Sequence, residues 1–184
     1  MTSYLTVDSP IGPLTLTADD GALTGVAMDA PPPDGAGALD GREPARGGPA
    51  PDRAWRVDRP AVMAAAEQLD AYFAGQLRRF DVALRPAGTA FQRAVWAQLC
   101  RIPYGEVVAY GEIARRMGRA GSSRAVGAAN GRNPLAVVVP CHRVIGADGS
   151  LTGYGGGIWR KRWLLAHEGV VPAELDGGSW GEDD

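Results

Sequence analysis

The sequence is poor in the residues that most often announce chemistry. Its 184 residues contain two cysteines and two histidines. Two cysteines do not make a disulfide framework, so nothing in the chain asks for an oxidising compartment. Two Cys and two His without paired spacing make no zinc site, and the first 90 residues hold neither type. No stretch approaches the roughly 18 apolar residues that a membrane span needs. The opening MTSYLTVDSPIGPL lacks a basic n-region and an apolar h-region, so no secretory signal is expected and the cytoplasm is the expected location. What is present is a hydrophobic content of 45%, enough for one ordinary domain or two small ones with a real core.

Charge is unevenly placed. The net charge is −2, yet residues 87–170 carry 11 Lys and Arg against 4 Asp and Glu, a balance of +7, which leaves −9 for the rest. A basic segment in an acidic chain fits a surface that faces a polyanion.

Residues 4–28 alternate apolar and polar, and "SPIGP" (9–13) and "ADDG" (18–21) separate YLTVD, LTLT and LTGVAM. That pattern predicts a short antiparallel meander. "APPPDGAGALDGREPARGGPAPDR" (30–53) has almost nothing to bury and reads as a disordered or loosely draped loop. Val62, Ala65, Ala66, Leu69, Tyr72 and Phe73 fall at helical spacing, with Pro60 suited to the first turn. "FDVALRP" (80–86) reads as one more strand, so residues 1–86 form a small α+β unit.

Residues 87–170 read as mainly helical. Thr89 suits the cap of a helix with Phe91, Val95, Trp96 and Leu99 on its apolar face, ended by Ile102-Pro103. A second helix runs from Tyr110 to Met117 and is closed by Gly118. Ser122 suits the cap of a third, Ser123 to Arg132, which must stop at Asn133-Pro134. "AVVVP" reads as a buried strand from its β-branched run. A last helix spans about Gly157 to Glu168, with Gly169 as its C′ glycine, and the acidic tail 171–184 reads as frayed.

The second and third of these helices have the proportions of a helix-turn-helix. Arg115, Arg116, Arg119, Arg124 and Arg132 face only Glu112 in that stretch, which suits phosphate contact. The would-be recognition helix, "SSRAVGAANGR", is nearly all Ala, Gly and Ser, with few long side chains to read a major groove. A helix of small residues approaches its partner closely, which suits recognition of shape in a minor groove or at a disrupted base pair. Two packed helices with a small-residue contact are the plainer reading.

In "VVVPCHRVIGADG" (137–149) Cys141 stands beside His142. A thiolate is the reactive form of cysteine and a neighbouring base generates it, but a buried thiol beside an unrelated imidazole has the same spelling. Cys100, in the apolar row of its helix, reads as a buried thiol. Glu168 sits at a helix end where a carboxylate opposes the macrodipole. A partner such as His142 or His167 would offset that, giving a Cys–His–Glu chain with the base-and-orienter logic of nucleophilic triads. "TGYGGG" (152–157) offers an aromatic and flexible N–H donors, or is an ordinary glycine loop before a helix.

"FQRAVWAQLCRIPYGEVVAYGEIA", "SSRAVGAANGRNPLAVVVPCHRVIGADGSLTGYGGG" and "KRWLLAHEG" together resemble the O6-alkylguanine-DNA alkyltransferase family, without a gap over about residues 88–170. The resemblance implies an α/β (α+β) chain. A small ribonuclease-H-like domain (1–86) precedes a mainly helical DNA-binding and alkyl-acceptor domain (87–170) with a helix-turn-helix. It implies repair by direct reversal, in which the alkyl group of O6-alkylguanine, and of O4-alkylthymine, passes irreversibly to Cys141. His142 deprotonates Cys141 through a water, Glu168 orients and charges His142, and Asn133 forms a hinge after the recognition helix. Arg124 takes the place of the extruded guanine, with Ser123 and Tyr110 also at the DNA. Tyr110, Tyr154 and backbone groups at Val144 and Gly155 hold the base; some relatives carry Ser where Gly155 stands. The partner is double-stranded DNA carrying the lesion, the protein is a monomer away from membranes, and neither cofactor nor metal is needed. Lesion-binding alkyltransferase-like proteins are the competing reading, and there the cysteine is replaced.

Overall fold

The computed structural model describes residues 2–28, 37–38 and 59–170. The 171–184 tail and all of the 30–53 loop except residues 37–38 lie outside the described residues. The chain divides into two compact units, Met1–Arg93 with Asn133–Val139, and Ala94–Arg132 with Pro140–Asp184.

In the first unit the alternating segments form β1 (Thr2–Val7), β2 (Leu14–Asp19) and β3 (Ala22–Met28), joined by a two-residue β4 (Gly37–Ala38). The order is β3-β2-β1-β4, with β1–β2 and β2–β3 antiparallel and β1–β4 parallel. The meander expected from residues 4–28 is therefore present, with Leu16 opposite both Leu5 and Val26. Helix α1 (Arg59–Phe73) packs on β1, β2 and β3. Val62, Ala65, Leu69 and Tyr72, at the helical spacing read from the sequence, are fully buried. Burying each Val or Leu fully is worth about 1.5–3 kcal/mol, which holds the helix to the sheet.

Two expected strands are absent. Residues 80–86 make one parallel bridge, Leu84 to Leu23. Both backbone groups of Asp81 are taken by the Gln68 side chain of α1, at 2.7 and 2.9 Å, and Pro86 has no N–H to offer. Too few groups remain for a ladder. The "AVVVP" run is buried as expected, since Leu135, Val137, Val138 and Val139 are all in the core, but it is coiled into turns. Asn133 does this: its Oδ1 accepts the Leu135 N–H at 3.0 Å and its Nδ2 donates to the Val139 carbonyl at 2.8 Å. Val137 then takes φ +69°, a left-handed conformation that costs a β-branched residue energy. The segment joins the sheet only at the Val26–Leu135 bridge.

Helix α2 (Ala90–Leu99) opens on a capping box. Thr89 Oγ1 accepts the Gln92 N–H and Gln92 Oε1 accepts the Thr89 N–H. In the second unit β5 (Val108–Ala109) leads straight into α3 (Tyr110–Arg116), and α4 (Ser123–Gly131) follows after Gly118, at φ +68°. A 3₁₀ turn, Cys141–Arg143, precedes β6 (Val144–Ile145), and α5 (Ile158–His167) is closed by Gly169 at φ +79°. The helix-turn-helix pair is thus formed by α3 and α4, which pack on each other. Ser122 occupies the N-cap position of α4 but makes no side-chain capping bond.

Candidate active site

Parallel pairing of β5 with β6, Val108 opposite Val144, sets the start of α3 beside the end of the Cys141–Arg143 turn. All three residues of that turn are buried, Cys141 at 6%, His142 at 0% and Arg143 at 6% exposure. Glu168, the C-cap residue of α5, is equally buried and meets them. His142 Nε2 lies 2.8 Å from Glu168 Oε1. Arg143 grips the same carboxylate with both arms of its fork, Nε to Oε2 at 2.8 Å and Nη2 to Oε1 at 2.9 Å. The Gly105 N–H adds a fourth donor at 3.2 Å. Gly105 has φ +79°, and a Cβ there would stand 3.0 Å from the Glu168 carbonyl oxygen, so both backbone and space call for glycine.

These contacts fix charge and protons together. Burial alone would push the Glu168 carboxyl up, but the hydrogen bonds from His142 and Arg143 and the Arg143 charge outweigh it and hold the group well below the usual carboxylate range. Burial lowers the His142 pKa; Glu168 opposes this, and the charges of Arg143 and Lys161 add to it. The histidine is therefore neutral at neutral pH and the glutamate ionised. An ionised carboxylate only accepts, so the imidazole proton sits on Nε2 and Nδ1 carries the lone pair. Nδ1 is buried and makes no hydrogen bond to the protein.

A cavity of about 700 Å³ opens in the same unit. Tyr110, Ser123, Arg124, Tyr154 and Gly155 all line it, so five of the residues singled out in the sequence share one wall. Cys141 lies close enough to Tyr110 and Tyr154 of that wall, and to Lys161, to interact with them electrostatically. Burial first, then the Cys141 charge, raises the Tyr154 hydroxyl well above the usual tyrosine value. That hydroxyl makes no regular hydrogen bond, although it sits close enough to the sulfur to interact with it. The Tyr110 hydroxyl donates to the Thr152 carbonyl at 3.1 Å. A Cβ at Gly127 of α4 would lie 3.7 Å from the Tyr110 ring of α3, an ordinary contact, so the space there does not itself require glycine. A Cβ at Gly155 would meet only the Gly131 carbonyl, at 3.9 Å, so the serine of some relatives fits without a clash.

The other expected site residues are placed differently. Both backbone groups of Val144 are already paired: its N–H donates to the Cys141 carbonyl and its C=O accepts from Lys161. Asn133 belongs to the first unit, where its amide closes the 133–139 turns. Cys100 is exposed at the end of α2, contrary to the buried thiol expected from the helical row. Enough atoms crowd the sulfur that desolvation still pushes its pKa up.

Three residues were missed. Lys161 is fully buried, with Nζ donating to the Val144 and Thr152 carbonyls at 2.6 and 2.9 Å, and burial pushes its pKa down to about 8 against the pull of the Cys141 charge. Arg143 is the second. Asn130 is the third, buried on α4 with its Nδ2 donating to the Cys141 carbonyl at 3.3 Å. A signal existed: 161, 164, 165 and 168 form an i, i+3, i+4, i+7 stripe, so a Lys and a Glu share the buried face with two leucines. Asn130 likewise shares a face with Val126 and Ala129. With His142 neutral, Arg143, Lys161 and Glu168 leave one net positive charge beside Cys141.

Residues 2–86 match the family model of the 6-O-methylguanine DNA methyltransferase ribonuclease-like domain, and residues 90–170 match that of the DNA binding domain. A methylated-DNA–protein-cysteine methyltransferase of Mycobacterium tuberculosis is 51% identical over 176 residues, covering 95% of this chain and 98% of the relative. One from Methanosarcina acetivorans is 46% identical, covering 90% and 97%. The crystal structure of Mycobacterium tuberculosis OGT in complex with DNA superposes with a TM-score of 0.74 at 49% identity, over 94% of this chain and 97% of that one.

Proposed function

The chain belongs to the 6-O-methylguanine DNA methyltransferase family, and we propose that Cys141 is the acceptor of the alkyl group it removes from O6-alkylguanine, and from O4-alkylthymine, in DNA. The observation that carries this is the placement, in one buried 3₁₀ turn, of Cys141 beside His142, whose Nε2 lies 2.8 Å from Glu168 Oε1 and whose Nδ1 meets no protein partner. The lone pair at Nδ1 takes the thiol proton through a bridging water. The thiolate then attacks the alkyl carbon in line, an S–C bond forms, the C–O6 bond breaks, and the electron pair leaves on guanine. The base takes up a proton, so the thiol hydrogen is exchanged for the alkyl group. A thioether has no ready leaving group, so each molecule reacts once.

The lesion lies inside a duplex, and the base must leave the stack to enter the cavity. Arg124, exposed on α4 at the cavity wall, fills the gap it leaves, with Ser123 beside it at the DNA backbone. Tyr110 and Tyr154 line the pocket around the base, and the positive charge of Lys161 opposes the negative charge that grows on sulfur and then on guanine. Asn133 shapes the segment that leads into Pro140 and Cys141. Residues 87–170 are the part that performs transfer, with residues 1–86 as the accompanying ribonuclease-like domain. The site of action is the cytoplasm, where a DNA-repair protein of this family meets its DNA; among the described residues no helix is long and apolar enough to span a membrane.

The test separates base extrusion from chemistry. Arg124→Ala should slow repair of an O6-methylguanine duplex by roughly 5–160-fold, the equivalent of a lost stacking contact of about 1–3 kcal/mol. Reaction with the free base O6-benzylguanine should change by less than about threefold, because no stack is disrupted there. Equal losses on both substrates would place Arg124 in the framework and remove it from the DNA.

A further inference from the structure

Arg143 makes more contacts in this cluster than holding two elements together requires. Its Nη1 donates to the Ile102 carbonyl at 2.7 Å and its guanidinium lies 5.9 Å from the centre of the Tyr104 ring, so the group is already anchored to the segment after α2. Its remaining arms both go to Glu168, and Nη2 shares Oε1 with His142 Nε2. We propose that Arg143 is a positioning residue that keeps the proton of His142 on Nε2, so that Nδ1 remains a lone pair able to accept from Cys141. This rests on the reading of His142 as the base.

The groups that face His142 are Glu168 and Lys161 from α5 and its neighbours Cys141 and Arg143 in the turn. Two arrangements compete with the working one. In the first, His142 takes a second proton and forms an imidazolium–carboxylate pair with Glu168. Arg143 opposes this twice, by its own positive charge and by drawing Glu168 Oε1 into a shared bond. In the second, the buried carboxyl is itself protonated and donates to Nε2, which forces the ring proton onto Nδ1. A bidentate guanidinium opposes that because protonating the carboxyl removes the charge that both of its arms hold. Both competitors occupy Nδ1 with hydrogen. Removing Arg143 favours both, and each abolishes the base without moving the ring.

The imidazole nitrogens of ¹⁵N-histidine-labelled protein report this directly, and His167→Gln leaves His142 as the one signal. At pH 7 the parent protein should show Nε2 protonated and Nδ1 bare. Arg143→Met should show Nδ1 protonated, with the rate on O6-benzylguanine falling by at least tenfold. Arg143→Lys, which keeps a charge but loses the fork, should take up the Nδ1 proton at a higher pH than the parent protein does. Lysine is the milder change and carries the test if the methionine variant does not fold. A bare Nδ1 in folded Arg143→Met, or an unchanged uptake pH in folded Arg143→Lys, would reduce Arg143 to an anchor and overturn the proposal. So would a parent protein already protonated on Nδ1. The ¹⁵N readings do not depend on alkyl transfer, so failure there is distinct from failure of Cys141 as the acceptor.

Discussion

Glu168→Ala should destabilise the protein by about 3–5 kcal/mol, the cost of leaving a buried charge without its partner. The glutamate is 5% exposed and receives Arg143, His142 and the Gly105 N–H at once. Alanine leaves the Arg143 guanidinium, itself 6% exposed, with only the Ile102 carbonyl and the Tyr104 ring. The pH dependence of stability carries the same signature. The folded Glu168 pKa lies below its unfolded value, so its contribution is complete above the ordinary carboxylate pKa and is lost as pH falls through the folded value. His142 is held neutral, with its pKa below the unfolded value of about 6.5. Below that pH the unfolded chain binds a proton that the folded one does not, so stability falls as pH drops. Chemical denaturation from pH 8 to pH 3 should show the parent protein weakening below about pH 6.5, as His142 of the unfolded chain takes up a proton, and further below the ordinary carboxylate pKa of about 4.3, with Glu168→Ala already weak at pH 8. A loss under about 1 kcal/mol at pH 8 would mean that water or rearrangement compensates Arg143, and that the cluster is looser than its distances imply.

His142→Leu should slow alkyl transfer by about 10²–10⁴-fold at neutral pH, the usual contribution of a placed general base. Leucine keeps the buried volume apolar, and Glu168 retains both arms of Arg143, so the turn should keep its shape. The loss should also shrink as pH rises. Above the ordinary thiol pKa of about 8.5 an unassisted cysteine ionises by itself, and the base has less to do. Single-turnover rates on O6-benzylguanine between pH 6 and pH 9.5 should therefore rise steeply in His142→Leu and only gently in the parent protein. Parallel profiles would assign the deprotonation to some other group.

Local pattern carried much of this to the surface of the sequence. The meander, α1 and all four later helices follow from alternation, helical spacing and the Gly and Pro stops, because each is decided within about a dozen residues. The two failed strands were decided by side chains that claim their backbone groups. The backbone of Asp81 is claimed by Gln68, thirteen residues away, and the valine run is coiled by one asparagine side chain. β-Branched composition predicted burial there correctly, and conformation wrongly. Of the site, Cys141, His142 and Glu168 were legible through motif resemblance and an unfavourably placed helix-end carboxylate. Arg143 and Lys161 were harder to see because arginine and lysine in a basic segment look like phosphate contacts. Only the stripe they share with buried leucines, or a carboxylate 25 residues distant, marks them as interior. Cys100 shows the opposite error: read as interior from the helical row, it is exposed at the end of α2.

The central claim is that one sulfur takes one alkyl group. Mass analysis of tryptic peptides after incubation with excess O6-methylguanine duplex tests it most directly, since Cys141 falls in the peptide 133–143 and Cys100 in the peptide 94–101. The 133–143 peptide should gain the mass of one CH₂ group, with the 94–101 peptide unchanged and guanine released in a single equivalent per protein. Modification of Cys100, or release of more than one equivalent, would contradict the account.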